Sequence, residues 1–475
     1  MILLHCEFSK DFYNFVPAMK HILSDRTLNR EILRLSVPSI LANLTVPLVG
    51  MVDTALAGHL VDAGGGGSAV FIGGISVGAM LLNLLYWNFF FLRTGTGGLT
   101  AQAFGRGEPH ECARIFARGA GFALIVSMLI MALQAPLARL GMLLVDASPR
   151  VCELALRYFR IRIWAVPATI GLMVFRGWFV GMQDSMSSMW SDLIVNLVNI
   201  AASVVLTFGI GGWSGLGFDG IAAGTLVAQY SGLLYVVLVC VFKYRAVMGT
   251  LRREDITDLL RPAGLKPFLK MNANLLGRSL CFTGIYMGYT IIAASFGDVL
   301  LACSSIMMQL LMIFSYFTDG FAYAGEALSG RFIGARDQQM LSRTVRYVFV
   351  WSMSIAVLFI GVYALSGMPL VRLFTSDGAV VEACSRFLPW LLVMPPLGCA
   401  AFTWDGIYLG ATSSRSLFLS MGLAMLGFFG LWWGFVLLGG GSGDLQLHVL
   451  LAAYFVHLAV RTVYLSAAYR THIKA

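Results

Sequence analysis

Apolar residues fall into twelve long runs separated by short polar stretches. The runs cover roughly 33–56, 70–93, 115–144, 155–180, 187–211, 217–243, 268–295, 300–328, 341–366, 381–406, 415–439 and 445–468. Each is long enough for a helix to cross the hydrocarbon layer, which takes about 20 apolar residues. A lone segment in lipid satisfies its backbone groups only as a helix. The pattern predicts an all-α membrane protein of twelve transmembrane helices. The expected divisions are an N-terminal tail, 1–32; a first lobe, 33–243; a linker, 244–266; a second lobe, 267–468; and a C-terminus, 469–475.

The polar stretches then orient the spans. Lys10, Lys20, Arg26 and Arg30 precede span 1, Arg106, Arg114 and Arg118 follow span 2, and Lys243, Arg245, Arg252, Arg253, Arg261 and Lys266 fill the linker. Arg331, Arg336, Arg343 and Arg346 lie between spans 8 and 9, and Arg470 and Lys474 close the chain. These alternate loops share one side, which the positive-inside rule makes the cytoplasm, with both termini there. Arg139, Arg150, Arg157, Arg160 and Arg162 break the rule at the outer start of span 4 and read as local anchors or partners. The start, MILLHCEFSKDFYNF, lacks the basic lead and long apolar core of a secretory signal. A bacterial inner membrane is the expected location.

Composition agrees: 58% of the 475 residues are hydrophobic and 12% charged, against about 25% charge in soluble domains. The net charge of +9 sits between the runs rather than along one face, so it reads as topology, with the lipid bilayer and no nucleic acid as partner. The eight cysteines show no CxxC spacing and read as small buried hydrophobes; the seven histidines are scattered, so no metal site or hydrolytic cluster is expected. TGTGG, 94–98, reads as a helix end where small residues pack, and no GxxxxGK[ST] loop is present.

The halves repeat. Gly105 and Gly334, Pro167 and Pro396, Gly177 and Gly406, and Gly181 and Gly410 are each 229 residues apart. With six spans per half, both halves enter from the same side. This predicts two six-helix lobes related by a parallel repeat, an arrangement that places transport sites between the lobes.

Ionisable groups inside spans are costly and need a role. Asp53 in span 1 lies between Gly50 and Gly58, with Pro47 upstream to permit a bend. A carboxyl there can couple a proton to helix shape. Asn196, Asn199 and Ser203 share a face of span 5 and are expected to donate to Asp53 or ligate a cation. In span 8, Tyr316, Asp319, Tyr323 and Glu326 form an acidic and aromatic stripe suited to a flat organic cation. Glu326 could instead pair with Arg331 or Arg278. Asp405 and Trp404 in span 10 are further cavity candidates. The position equivalent to Asp405 in the first half is Arg176, which suggests an ion pair between halves. Arg278 is expected to neutralise one of these acids. Gln102, in GLTAQAFGRGE, joins Pro47, Arg278 and Arg176 as a structural or gating residue. Span-depth charges are read as mainly acidic.

SVPSILANLTVPLVGMVDTALAGHL (36–60), GLTAQAFGRGE (98–108), NLVNI (196–200), YFTDGFAYAGEALSGRFIGARD (316–337) and WDGIYLGAT (404–412) resemble the multidrug and toxic compound extrusion (MATE) transporters, DNA-damage-inducible F-like branch. The likeness covers about 30–470. It implies a central cavity that alternates between the two membrane faces and export of organic cations and amphipathic compounds in exchange for protons or sodium. The family's first-lobe carboxylate falls on Asp53 and its fifth-span asparagine on Asn199. Many members carry a second acid where this chain has Ser203, which favours protons over sodium. Ala273 and Asn274 replace a basic–acidic pair usual in span 7. The expectation is a functional monomer, not an enzyme, with no cofactor beyond H+ or Na+ and small organic substrates. A flippase for lipid-linked precursors is the alternative.

Overall fold

The structure is a computed structural model that describes residues 25–60, 67–143, 147–252, 254–255, 262–441 and 443–473. Within it, twelve helices are long and apolar enough to cross a membrane. Spans 1–6 are Arg26–Gly58, Ser68–Gly105, Pro109–Ala132, Pro149–Gly181, Ser185–Phe208 and Phe218–Phe242. Spans 7–12 are Phe268–Ala294, Asp298–Gly334, Gln338–Phe374, Gly378–Gly410, Ser414–Leu437 and Asp444–Thr471. They form two six-helix lobes. The face where spans 1 and 7 begin is called here the basic face, after its arginines.

Several boundaries differ from the sequence pattern. Span 1 begins inside the expected tail, because the Asp25 carboxylate accepts from Leu28 N at 3.2 Å and caps the helix there. Residues 1–24 of that tail lie outside the described residues, as do 253 and 256–261 of the linker. The linker's remainder is not all loop: helices cover Arg245–Met248 and, from Pro262, the start of span 7. The largest difference is in span 2. TGTGG does not end a helix; it lies within the buried helix Phe91–Gly105. Its glycines permit contacts too close for any side chain. A Cβ on Gly98 would strike the Leu409 carbonyl of the other lobe. Tertiary packing here overrides glycine's low helix propensity. Span 4 carries a turn of 3₁₀ helix, Ile163–Ala165, just before Pro167.

The repeat is visible atom by atom. A Cβ on Gly105 would collide with the Arg331 carbonyl, and a Cβ on Gly334 with the Gln102 carbonyl. Residues 102 and 331 are themselves 229 apart, so this is one contact made twice about a pseudo-twofold axis. Within the lobes, Gly177 meets the Arg93 carbonyl as Gly406 meets that of Ala322. Backbone strain repeats as well: φ is positive at Gln183 (62°) and at its equivalent Thr412 (54°).

Polar bonds between lobes concentrate in the basic half. Gln102 Nε2 donates to the Gly410 carbonyl at 2.9 Å and to Thr412 Oγ1 at 3.2 Å. Gln183 Nε2 donates to the Ala327 carbonyl at 2.7 Å. Arg331 reaches Glu31 at 3.3 Å, and Trp351 Nε1 donates to Asn29 at 2.9 Å. The lobes are closed together on the basic face.

Candidate functional site

In the first lobe, Asp53 is 5% exposed and its Oδ1 has no hydrogen-bond partner. The charge that acts on it is Arg162. The Arg162 guanidinium donates to the Tyr158 hydroxyl at 2.6 Å and lies 5.3 Å from that ring's centre. Arg162 thus separates from the arginines grouped with it in sequence. Arg150 bonds Glu153 at 2.8 Å and Arg157 bonds Asp219 at 2.5 Å, both exposed, whereas Arg162 turns inward toward Asp53.

The asparagines do not reach the acid. Asn196 Nδ2 donates to Thr45 Oγ1 at 2.5 Å, and Asn199 Nδ2 to Thr225 Oγ1 at 2.8 Å. Thr45 is eight residues before Asp53, about 12 Å along the helix. Asn196 therefore ties span 5 to span 1 two turns away from the carboxyl, and Asn199 ties it to span 6. Ser203 donates to the Ile221 carbonyl at 3.5 Å. Pro47 lies inside an unbroken helix.

In the second lobe, Asp405 accepts from Arg278 at 2.6 Å and also from Arg461. The pair expected between Arg176 and Asp405 does not form. Arg176 bonds Asp192 of span 5 at 2.6 Å, because each equivalent position faces neighbours of its own lobe. Trp404 is packed inside the second lobe. It is 8% exposed, donates to Ser466 Oγ at 2.8 Å and packs against Phe349 at 4.8 Å.

The span 8 stripe is divided. Glu326 pairs with neither Arg331 nor Arg278; its partner is Arg93 of span 2, across the seam at 3.7 Å. The Arg93 guanidinium lies 3.7 Å from the centre of the Tyr323 ring, in the cation–π position that the sequence reserves for a ligand. Both carboxyl oxygens of Glu326 and one guanidinium nitrogen of Arg93 lack hydrogen bonds. Asp319 is half-buried and makes no ion pair among the described residues; Arg93, Asp405, Arg278 and Arg461 act on it at longer range. Tyr316, one turn away, is half-buried, and its carbonyl accepts from Asn43 at 3.4 Å.

Span-depth charge is therefore not mainly acidic. Asp53, Asp192, Asp319, Glu326 and Asp405 are matched in number by Arg93, Arg162, Arg176, Arg278 and Arg461. Arg93, Arg461 and Asp192 escaped the sequence reading. The available signal was a charge within an apolar run, as in NFFFLRTG, which deserves equal weight for either sign.

A family model described as MatE matches residues 38–205 and 275–431. "DNA damage-inducible protein F" of Escherichia coli K12 is 33% identical over 449 residues, covering 94% of this chain and 92% of that protein. The chain belongs to the MATE family. "Probable multidrug resistance protein NorM" of Photorhabdus laumondii is 24% identical, over 82% of this chain and 83% of its own. The fold matches an "outward-facing conformation of a multidrug resistance MATE family transporter" at TM-score 0.79 and 17% identity, covering 94% of this chain and 96% of that one. A MATE structure "in the bent conformation" matches at 0.78 and 16% identity, covering 94% and 97%. The protein is a multi-pass MATE transporter.

Proposed function

We propose that this MATE protein is an antiporter that exports small amphipathic or cationic organic compounds, coupled to protons through Asp53. The observation that carries this reading is a buried carboxyl on the first span with one oxygen unbonded and one arginine, Arg162, acting on it. Ionised, the carboxylate is drawn to that guanidinium. Protonated, it loses the attraction, while Arg162 keeps its bond to Tyr158. Span 1 can then shift on Pro47 and narrow the first-lobe cavity, so that substrate leaves. Asp319, without an ion pair among the described residues and one turn from Tyr316, is the group offered to a cationic substrate.

The basic face is read as the cytoplasmic side of a bacterial inner membrane, with both termini there. Closure on that face then makes this the outward-facing state. The chain acts as a monomer with no resident cofactor. Asn196, Asn199 and Ser203 support the coupling site by holding span 5 to spans 1 and 6.

A second reading, export or flipping of an anionic lipid-linked metabolite, is favoured by the arginines at span depth. It ranks second because each arginine has an acid acting on it, whereas Asp319 makes no ion pair among the described residues. Liposomes with an imposed pH gradient separate the possibilities. Substrate cations should collapse the gradient equally with and without sodium; dependence on sodium would replace the proton with Na+.

A further inference from the structure

Span 1 has 33 residues, about 50 Å at about 1.5 Å each, against a hydrocarbon core about 30 Å thick. Its first turns therefore stand at head-group depth. Arg26, Arg30 and Arg34 recur there every four residues and so share one helix face. All three are exposed, and none makes an ion pair among the described residues. The neighbouring acids are taken, Asp25 by Arg343 at 2.5 Å and Glu31 by Arg331. The three arginines border a groove of about 580 Å³ whose apolar wall includes Leu33, Val37, Met186 and Trp351.

We propose that this groove binds an anionic phospholipid, with its phosphate on Arg26, Arg30 and Arg34 and an acyl chain along Leu33, Val37 and Met186. The two halves of the site select this ligand together. A soluble anion has no use for the apolar wall, and a zwitterionic lipid brings no net charge to the arginine row. Basic pockets between spans on the cytoplasmic side suit anionic head groups.

The repeat sharpens the contrast. Trp351 is 229 residues after Phe122, which packs on Phe268 at 6.2 Å in the opposite seam. That seam also holds arginines, but Glu111 takes Arg114 at 3.1 Å and Arg118 at 3.5 Å, and Glu108 takes Arg106 at 2.7 Å. Asp255 also reaches Arg114 at 3.3 Å, so every arginine of that set has an acid within reach, whereas Arg26, Arg30 and Arg34 make no ion pair among the described residues. Met186 belongs to the first lobe and Trp351 to the second, so a lipid lodged there bridges the lobes and steadies the arrangement closed on the basic face.

The test is binding, independent of which ion or substrate moves. Delipidated protein is titrated with phosphatidylglycerol, phosphatidylcholine or inorganic phosphate while its Tm is followed. Phosphatidylglycerol should raise Tm saturably and the other two should not. In Arg26→Gln/Arg30→Gln/Arg34→Gln the half-saturating phosphatidylglycerol concentration should rise roughly a hundredfold. Should that variant not fold, Arg26→Gln and Arg30→Gln alone decide it, each expected to cost about fivefold. Unchanged titration in the variants overturns the proposal. So does a phosphate response equal to the lipid's, which would make this a site for soluble anions.

Discussion

Glu326 and Gly97 occupy equivalent positions in the two halves and meet across the seam. The Glu326 Oε1 lies where a Cβ on Gly97 would have to be. One half supplies the carboxyl and the other the notch that admits it, so the repeat is symmetric in backbone and asymmetric in chemistry. Arg93, one turn before the notch, supplies the counter-charge.

Arg93→Gln should leave Glu326 buried without its cation and cost about 3–5 kcal/mol. Arg93→Gln/Glu326→Gln should recover most of that loss, because the stranded charge is gone. Unfolding of the two single variants and the double variant measures the coupling. Simple additivity would show that the two groups do not stabilise each other.

Gly105→Ala and Gly334→Ala should each cost about 1–3 kcal/mol by overpacking. The two costs should be similar, since each new methyl meets a backbone carbonyl in the same two-fold contact. Both should also part the lobes on the basic face. Spin labels at exposed positions 108 and 335 would report this as a longer distance. An unchanged distance and Tm would mean that the seam is looser than described.

Asp184 sits outside the spans and caps span 5. Burial works against its charge, but bonds from Lys243 at 2.6 Å, Ser187 at 2.6 Å and Tyr244 at 2.7 Å outweigh burial and hold its carboxyl below the ordinary value of 3.8. A lowered folded-state value means that its stabilisation is full above the unfolded value and is lost as pH falls through the folded one. Asp184→Asn should lower stability at neutral pH, on the order of 1–3 kcal/mol. It should also flatten the Tm decline below pH 3.8. Parallel wild-type and variant curves there would remove Asp184 from the acid limb.

Most of the fold was legible because lipid forces a simple code: long apolar runs, arginine-rich alternate loops and a constant 229-residue offset. The course of span 2 is not legible locally where TGTGG packs against the second lobe, since glycine propensity is local and the Leu409 carbonyl is not. The acids were legible as oddities, but their partners were not. Whether Arg176 meets Asp405 or Asp192 depends on which way each span turns, and the offset alone says nothing of that. Arg93 is not legible as a site residue, because a cation near a span end reads as topology until its ring and carboxyl partners are seen.

The central claim is that ionisation of Asp53 drives the exchange. Reconstituted wild type and Asp53→Asn are compared for collapse of an imposed pH gradient on adding a lipophilic cation, with substrate binding measured alongside. The account predicts that Asp53→Asn still folds and binds the cation but no longer collapses the gradient. Collapse at the wild-type rate by Asp53→Asn would contradict it.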